Sequence, residues 1–281
     1  GAHTLGEFEI QGVYGGGNLS DYEPQTHDAV TEFGQCAKVI INDCEASISK
    51  VYGGGNAASV PFTNVTVNGA FEIGYVFGGG NGGDMIYKNG SWVDNTGADV
   101  DHYTNVLLKG GTIGQAFGGS DSRGTVGGSD IKQETGGLCP LRLVNLYGAG
   151  NGEEASSSGD ITLDVSGCGE YSEIQNVYGG SYKANITGNV TLNIKSGIFT
   201  NVFGGNDRRG SIGGNITVNI EESDDCDKPI IIQNLYGGCY QTAYPGESNQ
   251  DTHVPAHDKN GAAFTTGKIT VNVISATRID K

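Results

Sequence analysis

Residues Lys50 to Asn56 read KVYGGGN, and versions of that stretch recur along the whole chain. GVYGGGN starts at Gly12, YVFGGGN at Tyr75, QAFGGSD at Gln115 and NLYGAGN at Asn145. NVYGGSY follows at Asn176, NVFGGND at Asn201 and NLYGGCY at Asn234. A glycine run of this kind resembles a phosphate loop at first sight. A P-loop, however, needs a Lys-Ser/Thr pair after its glycines and a helix to receive the phosphate. Neither follows any of the eight copies. The recurrence points to architecture instead.

With the aromatic ring as reference, the anchors are Tyr14, Tyr52, Phe77, Phe117, Tyr147, Tyr178, Phe203 and Tyr236, spaced 38, 25, 40, 30, 31, 25 and 33 residues apart. The shortest spacing occurs twice, so about 25 residues is the uninterrupted unit and the longer ones contain insertions. Four residues before the ring stand Ile10, Ile48, Ile73, Ile113, Leu143, Ile174, Phe199 and Ile232. Directly before it stand Val13, Val51, Val76, Ala116, Leu146, Val177, Val202 and Leu235. Two apolar columns three residues apart break the period of two that a single strand requires. A turn or bulge must separate them. Asn145, Asn176, Asn201 and Asn234 suit it, because Asn tolerates left-handed backbone angles.

A second strand follows each glycine turn: NVTV from Asn64, NVLL from Asn105, DITLDV from Asp160, NVTLNI from Asn189, NITVNI from Asn215 and KITVNV from Lys268. Ile216, Val218 and Ile220 alternate with Thr217 and Asn219, the pattern of a strand buried on one face. SDIKQE at Ser129 is a degenerate copy. Units this small cannot bury their own apolar faces and must stack. The expected fold is all-β: a parallel β-solenoid, favoured as a right-handed single-stranded β-helix of about eight coils, in one domain over residues 1–281. A propeller is the competitor, but 25 residues are short for a four-stranded blade. The ends carry no obvious polar cap, which predicts that further domains of a longer surface protein, or an oligomer, cover them.

Composition agrees. The chain has 49 glycines in 281 residues and no window with convincing helical periodicity. Its net charge is −16, from 32 acidic and 16 basic residues, which disfavours nucleic acid and anionic membranes as partners. No run of eighteen apolar residues exists, so no membrane insertion is expected. Six cysteines are compatible with an oxidising compartment. Cys139 and Cys168 both lie shortly before the Ile column in successive coils, and stacking predicts a disulfide between them. Cys36, Cys44, Cys226 and Cys239 stay unassigned.

The insertions fall between the glycine turn and the second strand, at about 19–35, 82–103 and 241–266. Such loops often build a solenoid's binding face. They hold His27, Tyr87, Trp92, His102 and Tyr103, the candidate ligand-binding residues, because aromatic rings beside polar groups suit stacking on sugars. The plainer alternative is that these rings pack their loops onto the solenoid. Gly79 to Ile86 reads GGNGGDMI, a single match to the calcium turn G-G-x-G-x-D-x-U, which makes Asp84 a weak calcium candidate; that motif works by tandem repetition. No other cofactor is expected. His253 and His257 are four apart around Pro255, a poor setting for zinc.

Right-handed β-helices often carry polysaccharide lyases and hydrolases, which need clustered carboxylates. The regular outward positions are mainly Thr and Asn. Asp164 is the only carboxylate among them, with no acidic neighbour expected. An ice-binding Thr array is a further alternative, although β-propensity explains the threonines without it. FGGSDSRGTVGGS at Phe117 matches FGGNDRRGSIGGN at Phe203 nearly residue for residue. The shared corner is read as an Asp–Arg tie, Asp121 with Arg123 and Asp207 with Arg209, ahead of a catalytic role.

The VYGGGN/GNITVNI alternation resembles the Gly-rich β-solenoid repeats of secreted or surface proteins of Bacteroidetes-type gut bacteria, many of them adhesin-like. The resemblance covers Ile10 to Val273 and supplies no catalytic residue. It implies an extracellular or cell-surface location and binding of a glycan or host surface protein without catalysis. The alternatives are a polysaccharide lyase or glycoside hydrolase on the same scaffold, and a purely structural spacer.

Overall fold

A computed structural model describes residues 4, 6–23, 36–83, 85–95, 98–168, 172–223, 226, 229–241 and 267–280. Among these residues there are strands and no helix. The chain is a parallel β-solenoid with two main sheets. The first contains β1 (Ile10–Tyr14), β3 (Ser47–Tyr52), β5 (Glu72–Phe77), β9 (Gly111–Phe117), β11 (Leu141–Tyr147), β13 (Ser172–Tyr178), β15 (Gly197–Phe203), β17 (Ile230–Tyr236) and β19 (Arg278–Ile279), side by side in that order. The second contains β2 (Ala37–Asn42), β4 (Thr63–Gly69), β8 (Val100–Leu108), β10 (Val126–Gln133), β12 (Ile161–Val165), β14 (Val190–Ile194), β16 (Ile216–Ile220) and β18 (Ile269–Val273). Isolated parallel bridges, Val126 to Ser157, Ser157 to Ile186 and Ile186 to Ile212, trace a third line along the stack. Neither sheet closes on itself.

The register is the one the repeat dictates. Tyr147 pairs with Phe117 on one side and Tyr178 on the other, and Leu143 with Ile113 and Ile174. From Ile48 to Ile232 the aliphatic column is buried and lines a continuous core between the sheets, while Ile10 in the first coil is exposed. Each such side chain contributes about 2 kcal/mol by leaving water. The eight rings form one unbroken stack, with centroids 4.6–5.3 Å apart and ring planes within 14° of each other.

Between the two apolar columns the alternation does break: Val144 is exposed, Asn145 half-buried and Leu146 buried, and the pairing skips Val144. The four asparagines there are not left-handed, since Asn89 is the one non-glycine residue with positive φ among the described residues. Their side chains bond instead. Asn176 Nδ2 donates to Asn145 Oδ1 (2.9 Å), Asn201 to Asn176 (2.8 Å) and Asn234 to Asn201 (3.0 Å). A second ladder on the outer face of the other sheet runs from Asn272 through Asn219 and Asn193 to the carboxylate of Asp164.

The glycine directly after each ring is required by proximity. A Cβ on Gly78 would stand 2.2 Å from the Gly118 carbonyl oxygen, and one on Gly118 would stand 2.1 Å from that of Gly148. Neither has positive φ, so the constraint is the neighbouring coil's backbone.

The expected Cys139–Cys168 disulfide does not form. Cys139 bonds Cys44 (Cα–Cα 6.2 Å) and Cys168 bonds Cys226 (5.5 Å). Cys44 and Cys139 both stand four residues before the aliphatic column, and Cys168 and Cys226 both stand six before it. Equal offset puts side chains on one line along the stack, whereas Cys139 and Cys168 have different offsets. The loop before Cys139 folds back across the intervening coils, with Leu138 N donating to Asn68 O at 2.6 Å. Cys36 and Cys239 are thiols. Burial pushes Cys239 up to about 12, well outside the range of a reactive thiol.

Candidate ligand groove

Coils are numbered one to eight by their rings, from Tyr14 to Tyr236. The column four residues after the ring reads Asn18, Asn56, Asn81, Asp121, Asn151, Tyr182, Asp207 and Tyr240. In the first coils it is an amide ladder, with Asn56 donating to Asn18 and Asn81 to Asn56, each at 2.8 Å. Two aspartates and two tyrosines interrupt it further along. At that interruption a groove of about 690 Å³ opens on the surface. One wall is the column two residues before the ring, from Lys50 and Tyr75 through Gln115 to Asn201. The floor includes Tyr147, Tyr178 and Phe203 of the ring stack. The other wall carries Asp121, Asn151, Tyr182, Asp207 and Tyr240. The groove therefore runs along the solenoid axis from coil two to coil eight, six strand spacings or roughly 29 Å.

Two buried carboxylates organise it, each holding a tyrosine from two coils earlier. Asp121 is 4% exposed; its Oδ2 accepts the Tyr52 hydroxyl and the Lys50 ammonium, both at 2.9 Å, and its Oδ1 accepts Asn151 Nδ2 at 2.9 Å. Asp207 is 3% exposed, and its Oδ2 accepts the Tyr147 hydroxyl at 3.0 Å. Its Oδ1 has no hydrogen bond. Arg208 Nε stands 3.4 Å from that oxygen, an ion-pair distance without hydrogen-bond geometry, while Arg208 Nη1 donates to Gln241. Burial raises the Asp207 carboxyl above its ordinary range, against the opposing effects of Tyr147 and Arg208. Burial, and next the Asp207 charge, push the Tyr178 phenol up to about 12 and raise Tyr147 as well. Both phenols are neutral at physiological pH.

The Asp–Arg ties expected at this corner are absent. Arg123 pairs with Glu154 and Arg209 with Glu153, because their side chains turn outward from the corner while the aspartates turn toward the ring stack. Around the carboxylates stand aromatic rings. Tyr75 lies parallel to Phe77 at 6.1 Å, Tyr182 meets Tyr147 edge-on at 5.8 Å, and Tyr240 is tilted over Phe203 at 4.9 Å. Lys50 sits 5.8 Å above the Tyr75 ring and Lys183 5.1 Å above that of Tyr182.

Of the loop candidates, Tyr87, Trp92, His102 and Tyr103 are described, and these four do not line the groove. Tyr87 and Trp92 face each other across a hairpin of β6 (Ile86–Lys88) and β7 (Ser91–Val93), both exposed, with rings edge-on at 5.5 Å. Asn89 (φ 54°) and Gly90 (φ 85°) form its two-residue turn, an Asn-Gly signal present in the sequence. His102 stacks on Phe62 at 4.7 Å, and the Tyr103 ring lies over Gly128, where a Cβ would come within 2.5 Å of it. His102 is thus half-buried against a ring, and Tyr103 stays exposed. His27, Asp84, His253 and His257 lie outside the described residues. Among those described, no group of three or more His, Cys, Asp or Glu is placed to hold a metal ion.

On the outward face of the other sheet, Asp164 pairs in register with Lys132 of the strand read as degenerate, while Asp130 pairs with Thr162, diagonal to Asp164. Burial raises the Asp130 carboxyl; Lys132 opposes that effect and the Asp164 charge adds to it. Lys132 Nζ is 3.6 Å from Asp130 Oδ2.

The groove's residues were in plain view in the sequence. Lining up the column four after the ring shows aspartate and tyrosine replacing asparagine in coils four, six, seven and eight.

These features define a parallel β-solenoid with a polar, aromatic-walled groove parallel to its axis. Compared with known protein families, curated proteins and solved structures, the chain matches none. The functional reading therefore rests on the geometry.

Proposed function

We propose that the protein is a non-catalytic, secreted or cell-surface, adhesin-like solenoid that binds a glycan, and that the axial groove is the binding site. The observation that carries this is the combination in one groove of tyrosine rings with a continuous row of amide and carboxylate groups. Sugars present apolar C–H faces and rings of hydroxyls, and such a surface matches both. Three of the chain's sixteen cationic residues, Lys50, Lys183 and Arg208, also line it, so the groove is less acidic than the protein as a whole. The two disulfides are compatible with an oxidising compartment.

Cleavage is the weaker reading. Asp121 and Asp207 belong to coils four and seven, three strand spacings or roughly 14 Å apart. Glycosidase carboxylate pairs stand about 5 Å apart in retaining enzymes and up to about 9.5 Å in inverting ones. A glycan array followed by calorimetry on the hits tests the proposal. Tyr240→Ala should weaken binding about tenfold, the loss of one stacking platform. An array without hits, or saturable turnover of any polysaccharide, overturns it.

A further inference from the structure

We propose that the groove takes a linear oligosaccharide lengthwise along the solenoid axis, anchored at the coil-six-to-eight end, where Asp207 Oδ1 accepts a sugar hydroxyl beside the Tyr240 ring. This rests on the glycan reading above and specifies its ligand and its selective residue.

Lengthwise binding follows from the repeat. Each coil adds one wall residue before the ring and one after it, in register with its neighbours. A ligand running along the groove therefore meets related chemistry at every step of about 4.8 Å. A linear polymer of repeating sugars has that periodicity. A compact ligand would use only a fraction of the wall.

The anchor follows from the difference between the two carboxylates. At Asp121 both oxygens are occupied by the protein's own donors: Tyr52 and Lys50 on one, Asn151 on the other. At Asp207 the residue one coil on, in the place of Asn151, is Tyr240, which leans over Phe203 and gives Asp207 no amide. The result is a groove-lining aspartate, 97% buried, one oxygen of which is shielded from solvent, lacks a hydrogen bond and has only Arg208 Nε at ion-pair distance over it. Leaving such a group unsatisfied is costly, and buried polar atoms in native proteins are nearly always paired. A sugar hydroxyl entering as Arg208 swings aside supplies the missing donor. Tyr240, half exposed, follows Asp207 in the same column one coil on and offers its ring to the same groove.

The test is calorimetry on the intact chain with cello-, manno-, xylo- and galacturono-oligosaccharides of increasing length. For the class that binds, affinity should rise with length until the chain fills the groove, at about six sugars. Asp207→Asn should weaken every length about tenfold or more, a charge-assisted hydrogen bond lost. Tyr75→Ala, at the other end, should weaken only the longer chains. Thermal melting of Asp207→Asn shows whether its fold is intact, and Tyr240→Ala, on an exposed ring, provides a second probe of the anchor. Length-independent binding, or wild-type affinity in both anchor variants, overturns this inference and leaves glycan binding standing. Absence of binding by any sugar, on these series and on an array, removes the glycan reading itself.

Discussion

Coils two to four and coils five to seven are near copies of one device with opposite endings. In each, a tyrosine opens the unit, a second ring continues the stack, and an aspartate two coils on takes the tyrosine's hydroxyl. Around Asp121 every oxygen is served from within, and the carboxylate locks three coils together. Around Asp207 one oxygen is left over. The difference comes from two neighbouring positions: Asn151 against Tyr240, and Lys50 against Asn145. A repeat can thus keep its architecture while one copy gives up internal satisfaction for an open face.

The largest effect should be the same in both units. Gly118→Val and Gly204→Val each force a side chain into the next coil's backbone, at 2.1 Å from Gly148 O and 2.3 Å from Gly237 O. Each should cost about 3 kcal/mol or more by urea titration. A tolerated substitution in one unit alone would show that the frameworks are not equivalent.

The next comparison should split them. Asp121→Ala takes from the Tyr52 hydroxyl its closer acceptor, leaving Asn81 Oδ1 at 3.3 Å, and removes the anion facing Lys50 and the acceptor of Asn151, for a loss of about 2 kcal/mol. Asp207→Asn should leave stability at pH 7 unchanged or raise it by about 1 kcal/mol. Its amide oxygen can still accept from Tyr147, and no buried charge remains.

Acid should sharpen the contrast. The folded state raises the Asp207 carboxyl, so it binds that proton more tightly than the unfolded chain does. This group's contribution therefore becomes less unfavourable as pH falls through its raised folded value toward the ordinary carboxylate range. The advantage of Asp207→Asn over wild type should shrink over the same window. Unfolding free energies measured between pH 7 and pH 4 check this, and a gap that widened on acidification would contradict it.

The narrowest comparison concerns the hydroxyls. Tyr147→Phe takes from Asp207 its hydrogen-bonded partner and should cost about 1–3 kcal/mol. Tyr52→Phe leaves Asp121 with Lys50 and Asn151 and should cost about 1 kcal/mol. Equal values would mean that the two carboxylates are equally well served.

The solenoid itself was legible because its determinants are columnar. Ile48, Val51 and Tyr52 recur at fixed offsets, and stacking turns equal offsets into contacts. The disulfides obey the same rule: Cys139 and Cys168 stand in successive coils but at different offsets, and each pairs with the cysteine that shares its own offset. Asp121 and Asp207 stand two residues from Arg123 and Arg209, a spacing that suggests Asp–Arg ties. Their partners are instead coils away, Tyr52 and Tyr147, and depend on how far a ring projects across the stack. Sequence spacing does not encode that reach. The ring contact of His102 is hidden for the same reason: Phe62, on which it stacks, is distant in the chain.

The asparagine ladders carry a consequence beyond holding coils together. In each, the amide of the later coil donates to the earlier one, from Asn234 to Asn145 on one face and from Asn272 to Asp164 on the other. Aligned amides polarise one another. The protein therefore has an electrical polarity along its length, built from side chains, with the donor ends directed toward the first coil. A ligand chain lying beside the first of these ladders meets a surface with a head and a tail, so its two possible directions of threading are not equivalent in energy.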